Sequence, residues 1–335
     1  MRCLVTGATG FTGGHLARRL ASRGDSVVAL VRPASDFRGL AAAGIEILEG
    51  ELTRRDDVIA AARGVERIYH IAGAFRTAAH PDSYYRDVNV GGAVNVLEAA
   101  RRAGCERVVH CSTIGVYGHV EDPPADENYR TKPDDIYQQT KLEGELKARE
   151  AIRRGQPVSI VRPGAIYGEG ELRFLKLFKA IQKHRFLMIG SGEVRLHMVY
   201  VDDLVDGILL CGSLPEALGE IFIIAGAEAP TLNQIMLAVA AAVGVPAPRV
   251  RIPVAPVYAA GWLCEMICVP LRIEPPLHRR RVGFFTHHRE FDIGKARRVL
   301  GYAPRVPWEE GIRRTALWYS GRGLIDPIRD YRPIQ

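Results

Sequence analysis

Three glycines constrain this chain more than any other feature. Residues 5–13 read Val-Thr-Gly-Ala-Thr-Gly-Phe-Thr-Gly, with Gly7, Gly10 and Gly13 in GxxGxxG spacing. A short apolar run, Cys3–Val5, precedes the loop. Helical spacing follows it over residues 13–22, with Leu16 and Leu20 on one face. Strand, glycine turn and helix N-terminus in that order form a cradle for a pyrophosphate. Gly7 permits the tight turn, Gly10 lets backbone N–H groups approach phosphate oxygens, and Gly13 lets helix and strand pack closely. The helix N-terminus adds partial positive charge. Thr9, Phe11 and Thr12 ride on the same loop and are expected beside the phosphates.

Strand and helix signals then alternate. Ser26–Val31, Ile45–Leu48, Arg67–Ile71, Arg107–Ser112 and Val158–Arg162 read as strands, with helical spacing over 58–62, 92–103 and 137–152 between them. Continuously apolar strands in a βα alternation mean a parallel sheet covered on both faces, with right-handed crossovers. The pattern changes after residue 163. Residues 174–183, 231–243 and 308–319 read as helices, and 199–201 and 221–224 as strands that could return to the sheet. Residues 245–291 are rich in proline and arginine and read as irregular. The expectation is an α/β fold with a Rossmann-type doubly wound parallel sheet from 1–163 plus 198–226. A smaller, discontinuous C-terminal substrate-binding lobe would come from 164–197 plus 227–335. A length of 335 residues suits two closely packed units.

Composition narrows the setting. The formal charge is +7, but acidic residues are interspersed with the arginines along most of the chain and no nucleic-acid motif accompanies them. Diffuse surface charge, and no nucleic-acid partner, is the reading. The six cysteines form no CxxC pair and no histidine cluster has zinc spacing, so reduced thiols and a cytoplasmic setting are expected, with no metal. His287 and His288 read as surface or pocket-rim histidines. The chain runs straight from its first strand into the glycine loop, so no leader is expected, and no 18-residue apolar stretch suggests a membrane span.

Two constellations carry chemistry. Tyr137 and Lys141 stand at i, i+4 in Tyr-Gln-Gln-Thr-Lys, which places an ammonium and a phenol on one helix face. A nearby cation lowers a phenol's pKa, so such a tyrosine can take a proton from an alcohol or return one. Upstream, Cys-Ser-Thr-Ile-Gly at 111–115 closes a strand, where Thr113 or Ser112 could orient a substrate oxygen. At the end of the second strand stands Arg32, where a carboxylate would bind an adenosine ribose diol. A guanidinium suits a 2′-phosphate, to which Ser35 and Arg38 could contribute, so NADP is favoured over NAD.

Together these segments resemble the extended short-chain dehydrogenase/reductase superfamily, also called the NAD-dependent epimerase/dehydratase family. The resemblance also rests on Gly50-Glu51-Leu52, His70-Ile71-Ala72-Gly73, Asn89-Val90-Gly91, Arg162-Pro163 through Tyr167-Gly168, and Tyr200-Val201-Asp202-Asp203. It implies that Tyr137 is the acid/base, that Lys141 holds the nicotinamide ribose and tunes Tyr137, and that Thr113 orients the substrate. It implies cofactor contacts from Glu51, Leu52, Ile71, Ala72, Gly73, Asn89 and Pro163, and a homodimer through the helices at 92–103 and 137–152. Position 51 departs from the family's usual aspartate.

Ile114–Gly115 replaces the acid–base pair of sugar dehydratases. Ala165 and Leu196 replace residues that hold a sugar nucleotide in epimerases, with Arg195 one position away. The segments 281–285, 291–296 and 300–305 resemble the 3β-hydroxysteroid dehydrogenase-like and dihydroflavonol reductase-like branch. The almost wholly apolar run 252–271 could line a substrate pocket, lie on a membrane surface beside Arg279, Arg280 and Arg281, or be a buried helix or subunit contact. The three arginines could equally bind a substrate phosphate. The expected function is NAD(P)-dependent hydride transfer at a secondary alcohol or ketone of an apolar, sterol-, terpenoid- or flavonoid-like small molecule. A UDP-sugar 4-epimerase with tightly bound NAD, and a non-enzymatic dinucleotide-sensing scaffold, are the alternatives.

Overall fold

The computed structural model describes residues 1–75, 80–268 and 279–328, the last span without the side chains of 279–281. The strands are β1 (Arg2–Thr6), β2 (Ser26–Val31), β3 (Glu46–Glu49), β4 (Arg67–His70), β5 (Arg107–Cys111), β6 (Val158–Pro163), β7 (Ala165–Tyr167), β8 (Met188–Ile189), β9 (Met198–Tyr200), β10 (Ile221–Ile224) and β11 (Arg251–Ile252). Seven of them form one sheet in the order β3-β2-β1-β4-β5-β6-β10, and every pairing in it is parallel. Strand order reverses between β1 and β4. The helices that follow these two strands lie on opposite faces, and doubly wound sheets bind ligands at the carboxyl ends of strands at such a reversal.

The alternation inside each strand explains the two-sided burial. On β1, Cys3 and Val5 point to one face, where they meet Leu16 and Leu20 of the Phe11–Ser22 helix and Ile208 of the Val201–Ser213 helix. Leu4 points to the other face and joins Val28, Ile68 and Val108 under Val96 and Ala148. Those last two residues belong to the Gly92–Ala103 and Ile136–Arg153 helices. A third core, with Phe178, Met198, Tyr200, Ile235, Ile312 and Tyr319, belongs to the smaller lobe. The chain crosses back late: Phe291, Ile293, Ala296, Leu300 and Tyr302 pack in the sheet's own core, and the Tyr302 hydroxyl donates to the Ala225 carbonyl at 2.9 Å.

Two sequence expectations change here. The strand near residue 199 does not return to the main sheet. β10 takes the place beside β6, and β9 instead pairs with β7 in a two-stranded ribbon that opens the smaller lobe. The span 245–291 is not irregular either, because it holds helices Val254–Cys268 and Arg279–Thr286. Pro253 precedes the first of these, and Pro256 falls in its first turn. A missing N–H breaks no helical hydrogen bond there, so these prolines start a helix rather than stop one. Residues 269–271 and the side chains of 279–281 lie outside the described residues.

Candidate active site

The glycine loop is built as its spacing requires. Gly7 has φ +77°, and a Cβ there would stand 2.7 Å from the Ala72 amide nitrogen, so only glycine lets the β1 loop meet the β4 loop. A Cβ on Gly13 would lie 2.2 Å from the Gly7 carbonyl oxygen, which fixes how closely the helix seats on its own loop. Gly10 is the N-cap, and no side chain caps the helix. Amides without side-chain partners at a helix N-terminus suit an anion. The cradle therefore fits a dinucleotide pyrophosphate. Thr9 and Gly10 are exposed on its rim, Phe11 is half-buried, and Thr12 is buried beneath it.

Around the cradle, Ile71, Ala72 and Gly73 leave the end of β4 beside it. Asn89 clamps this stretch: its amide accepts from Ala74 N at 2.7 Å, and donates to the Ala74 carbonyl at 3.2 Å and to Thr140 Oγ1 at 2.9 Å. The Glu51 amide donates to Asp57 at 2.8 Å, and Leu52 packs against Gly92. Arg32 is exposed beyond β2, and its guanidinium has no protein partner among the described residues. Arg38 does not join it. Its guanidinium grips Asp36 through contacts of 3.0 and 2.8 Å, because a carboxylate two residues away is the nearer partner. Pro163 ends β6, buried.

Tyr137 opens the Ile136–Arg153 helix just after its cap, where Asp135 accepts from Gln138 N at 2.9 Å. Burial pushes the phenol up to about 12, with Cys111 adding to the rise, while Arg173 and the neighbouring Thr113 hydroxyl pull it back. Thr113 also accepts from Gly115 N at 3.0 Å and caps the short Ile114–Tyr117 turn. Lys141 is buried one turn along the helix, and its ammonium donates to the Cys111 carbonyl at 2.5 Å. A Cβ on Gly73 would stand 3.6 Å from that ammonium. Arg173 is a second cation that acts on the phenol, and the Lys141 ammonium stays one helical turn away, held at the end of β5.

Ser112, the other candidate hydroxyl, is buried and donates to Glu145 at 2.6 Å. Arg162, also fully buried, reaches both Glu145 oxygens at 3.0 and 2.7 Å, and it further bonds the Tyr117 hydroxyl and the Glu127 carbonyl. Burial alone would raise the Glu145 carboxyl. The contacts from Arg162, Ser112 and Arg149 together outweigh it and hold the carboxyl below its ordinary value.

Sequence reading missed Arg173, Phe75 and Glu145, and it gave Arg162 no role beyond its place in the Arg162-Pro163 motif. The Phe75 ring lies 4.8 Å from Tyr137, and the Arg173 guanidinium stands over Phe75 at 5.4 Å. Glu145 was discoverable, since Tyr137, Lys141 and Glu145 fall at i, i+4 and i+8. Arg173 comes from the smaller lobe and left no spacing to read. Arg195 donates to the Ala229 carbonyl at 2.7 Å and pairs with Glu290 at 3.5 Å, while Leu196 is core. His287 stacks on His119 with ring centres 4.7 Å apart.

The parallel sheet, its reversal of strand order and the uncapped glycine cradle define a Rossmann-type dinucleotide-binding protein. Residues 3–225 match the NAD dependent epimerase/dehydratase family, and the chain belongs to that family. It is 30% identical over 345 residues to "Sterol demethylase protein B" of Methylococcus capsulatus, covering 97% of this chain and all of that one. It is 31% identical over 339 residues to the "3 beta-hydroxysteroid dehydrogenase/Delta 5-->4-isomerase" of Mycobacterium tuberculosis, covering 95% and 90% of the two chains. The crystal structure of gox2253 superposes with a TM-score of 0.83 at 29% identity, covering 97% of this chain and 99% of that one. The protein is thus an NAD-binding oxidoreductase-family member with 3β-hydroxysteroid-dehydrogenase-like relatives.

Proposed function

We propose that this protein transfers hydride between a nicotinamide dinucleotide and a secondary alcohol or ketone of an apolar, sterol-, terpenoid- or flavonoid-like small molecule. The observation that carries the reading is the Tyr137 phenol beside the Thr113 hydroxyl, at the strand ends that also present the glycine cradle. The nicotinamide, when bound, supplies the hydride donor or acceptor. In oxidation, the Tyr137 phenolate takes the alcohol proton, Thr113 aligns the oxygen, and Lys141 holds the nicotinamide ribose. In reduction, the same phenol returns the proton to the forming alkoxide. Arg32, exposed and unpartnered among the described residues, favours NADP through its 2′-phosphate.

Several features weigh against a sugar-nucleotide epimerase. Arg195 is tied to Ala229 and Glu290, Leu196 is buried in the core, and Ala165 has no side-chain amide for a diphosphate. A non-enzymatic sensor would not need both Tyr137 and Lys141. The reading includes a homodimer through the Gly92–Ala103 and Ile136–Arg153 helices, where Val94 and Leu146 are exposed.

Fluorescence titration with NADPH and NADH, followed by turnover of a panel of apolar ketones, tests the proposal. Tyr137→Phe should keep cofactor affinity and lose about 10²–10⁴-fold in turnover. Unchanged turnover would remove Tyr137 as proton carrier. Tightly retained NAD together with UDP-sugar turnover would establish the epimerase instead.

A further inference from the structure

The loop that carries Arg173 to the phenol rests on the helix that forms the cradle. Residues 168–173 follow β7 directly. Gly168 and Gly170 have φ of +140° and +101°, a backbone region that favours glycine, and the Glu171 amide donates back to the Gly168 carbonyl at 3.2 Å. Gly170 seats the turn on Phe11, since a Cβ there would stand 3.4 Å from the Phe11 ring. One helical turn on, His15 closes the contact: its Nε2 lies 3.0 Å from the Glu169 carbonyl oxygen. A carbonyl oxygen only accepts, so this nitrogen carries a proton and donates it. Two further contacts fix the ring. It stands edge-on to Phe11 with centres 5.3 Å apart, and its Nδ1 lies 3.8 Å from the Asp202 carboxylate, which Arg19 also approaches at 3.4 Å.

From Glu169 the chain reaches Arg173 with little freedom left. Buried Glu171 accepts from the Arg173 amide at 2.6 Å and from its guanidinium at 2.9 and 2.6 Å. The guanidinium also donates to the Ile166 carbonyl at 3.3 Å and lies over Phe75, the ring that meets Tyr137. The Glu169 carboxylate takes the Tyr200 hydroxyl, and the Glu171 carbonyl takes the Tyr319 hydroxyl. Both tyrosines belong to the smaller lobe, as the loop does, so they do not set its place against the main sheet. Phe11 and His15 do, because their helix packs on that sheet. Tyr137 stands on another helix of the same sheet. What ties the loop to the sheet therefore decides where the guanidinium stands relative to the phenol.

We propose that His15 is a positioning residue for the proton carrier: by donating to the Glu169 carbonyl it holds loop 168–173, and with it the Arg173 guanidinium, in place at Tyr137. The same helix presents the phosphate cradle, so one element serves both the dinucleotide and the phenol. This deepens the reading of Tyr137 as the acid/base and rests on it for its effect on turnover. The charged and titratable groups about the phenol are Arg173, Cys111 and Asp135, with the Thr113 hydroxyl beside it and Lys141 one turn along its own helix. Arg173 is the member of this set that rides on the loop, so a displaced loop weakens that cation's effect and leaves the others in place.

The test puts a ring-fluorinated tyrosine at position 137 of the full-length protein and follows its fluorine resonance against pH, without dinucleotide. The fluorine makes the phenol more acidic and brings its titration within reach. His15→Leu is expected to move that titration up by about half a pH unit or more, toward the Arg173→Leu value. In His15→Leu/Arg173→Leu the shift should equal that of Arg173→Leu alone, because both changes act through one cation. His15→Gln keeps an N–H donor and should restore most of the native value. Should His15→Leu not fold, Gly170→Ala, strained at its φ and crowding Phe11, should give the same upward shift. An unmoved titration in these variants, or single shifts that add in the double variant, would overturn the proposal. Native turnover in Tyr137→Phe would instead remove the acid/base reading, and the fluorine titration would still decide whether His15 positions Arg173.

Discussion

The Tyr137 phenol answers to neighbours drawn from three parts of the chain. Burial raises it, Cys111 at the end of β5 adds to the rise, and Arg173 from the smaller lobe opposes both. Removing a cation that favours the phenolate must raise the phenol further. Arg173→Leu is therefore expected to move the basic limb of alcohol oxidation to higher pH. Oxidation near pH 8 should fall, with ketone reduction affected less, because reduction uses the protonated phenol. A pH–rate profile in both directions checks this, and an unmoved limb would show that Arg173 does not act on the proton carrier. Arg173 also pairs with Glu171 at 2.6 Å, so Glu171→Gln should free more of its charge and shift the limb the opposite way.

At the scale of elements, the Ile136–Arg153 helix makes the site because three turns of one face each meet different partners. Tyr137 meets Thr113, Lys141 meets the Cys111 carbonyl, and Glu145 meets Ser112 and Arg162. The last contact ties the helix to β5 and β6 from beneath. A buried ion pair is weak as a source of stability, yet breaking it from one side strands a charge. Glu145→Gln should cost about 3–5 kcal/mol in urea unfolding, while Glu145→Leu/Arg162→Met should recover most of that loss. If the double variant is no more stable than the single one, the stranded guanidinium is not the cause. The i, i+4 spacing of Tyr137 and Lys141 was legible because helical geometry alone puts them on one face. The choice between Ser112 and Thr113 was not legible, because adjacent residues leaving a strand point opposite ways. Only the position of Glu145 shows that Ser112 faces inward.

At the scale of the molecule, the sheet interior carries a titration of its own. His70 and His110 are register partners on β4 and β5, with rings 5.3 Å apart. Burial lowers both, His110 to about 3, and Lys141 pushes each further down. Both imidazoles are therefore neutral in the fold, whereas the unfolded chain protonates them near pH 6.5. The unfolded state binds the extra protons, so stability is lost as pH falls below 6.5, by roughly 1.4 kcal/mol per pH unit for each histidine. Urea unfolding between pH 7.5 and 5 should show this slope, to which the lowered His197 and His287 add, and His110→Gln should remove one histidine's share of it. A native slope near zero would mean that the buried pair is charged.

The chain's own order of residues determined the sheet, the glycine cradle and the Tyr–Lys helix, because each is set by short-range spacing: period two in strands, 3.6 in helices, and φ freedom at Gly7. Tertiary structure alone decided what distant segments do to one another. It placed Arg173 at the phenol, tied Arg195 to the Ala229 carbonyl, sent β9 to its own ribbon, and turned the apolar side of the Val254–Cys268 helix outward. Contacts across more than thirty residues depend on which surfaces the folded sheet leaves free, and no local periodicity encodes that.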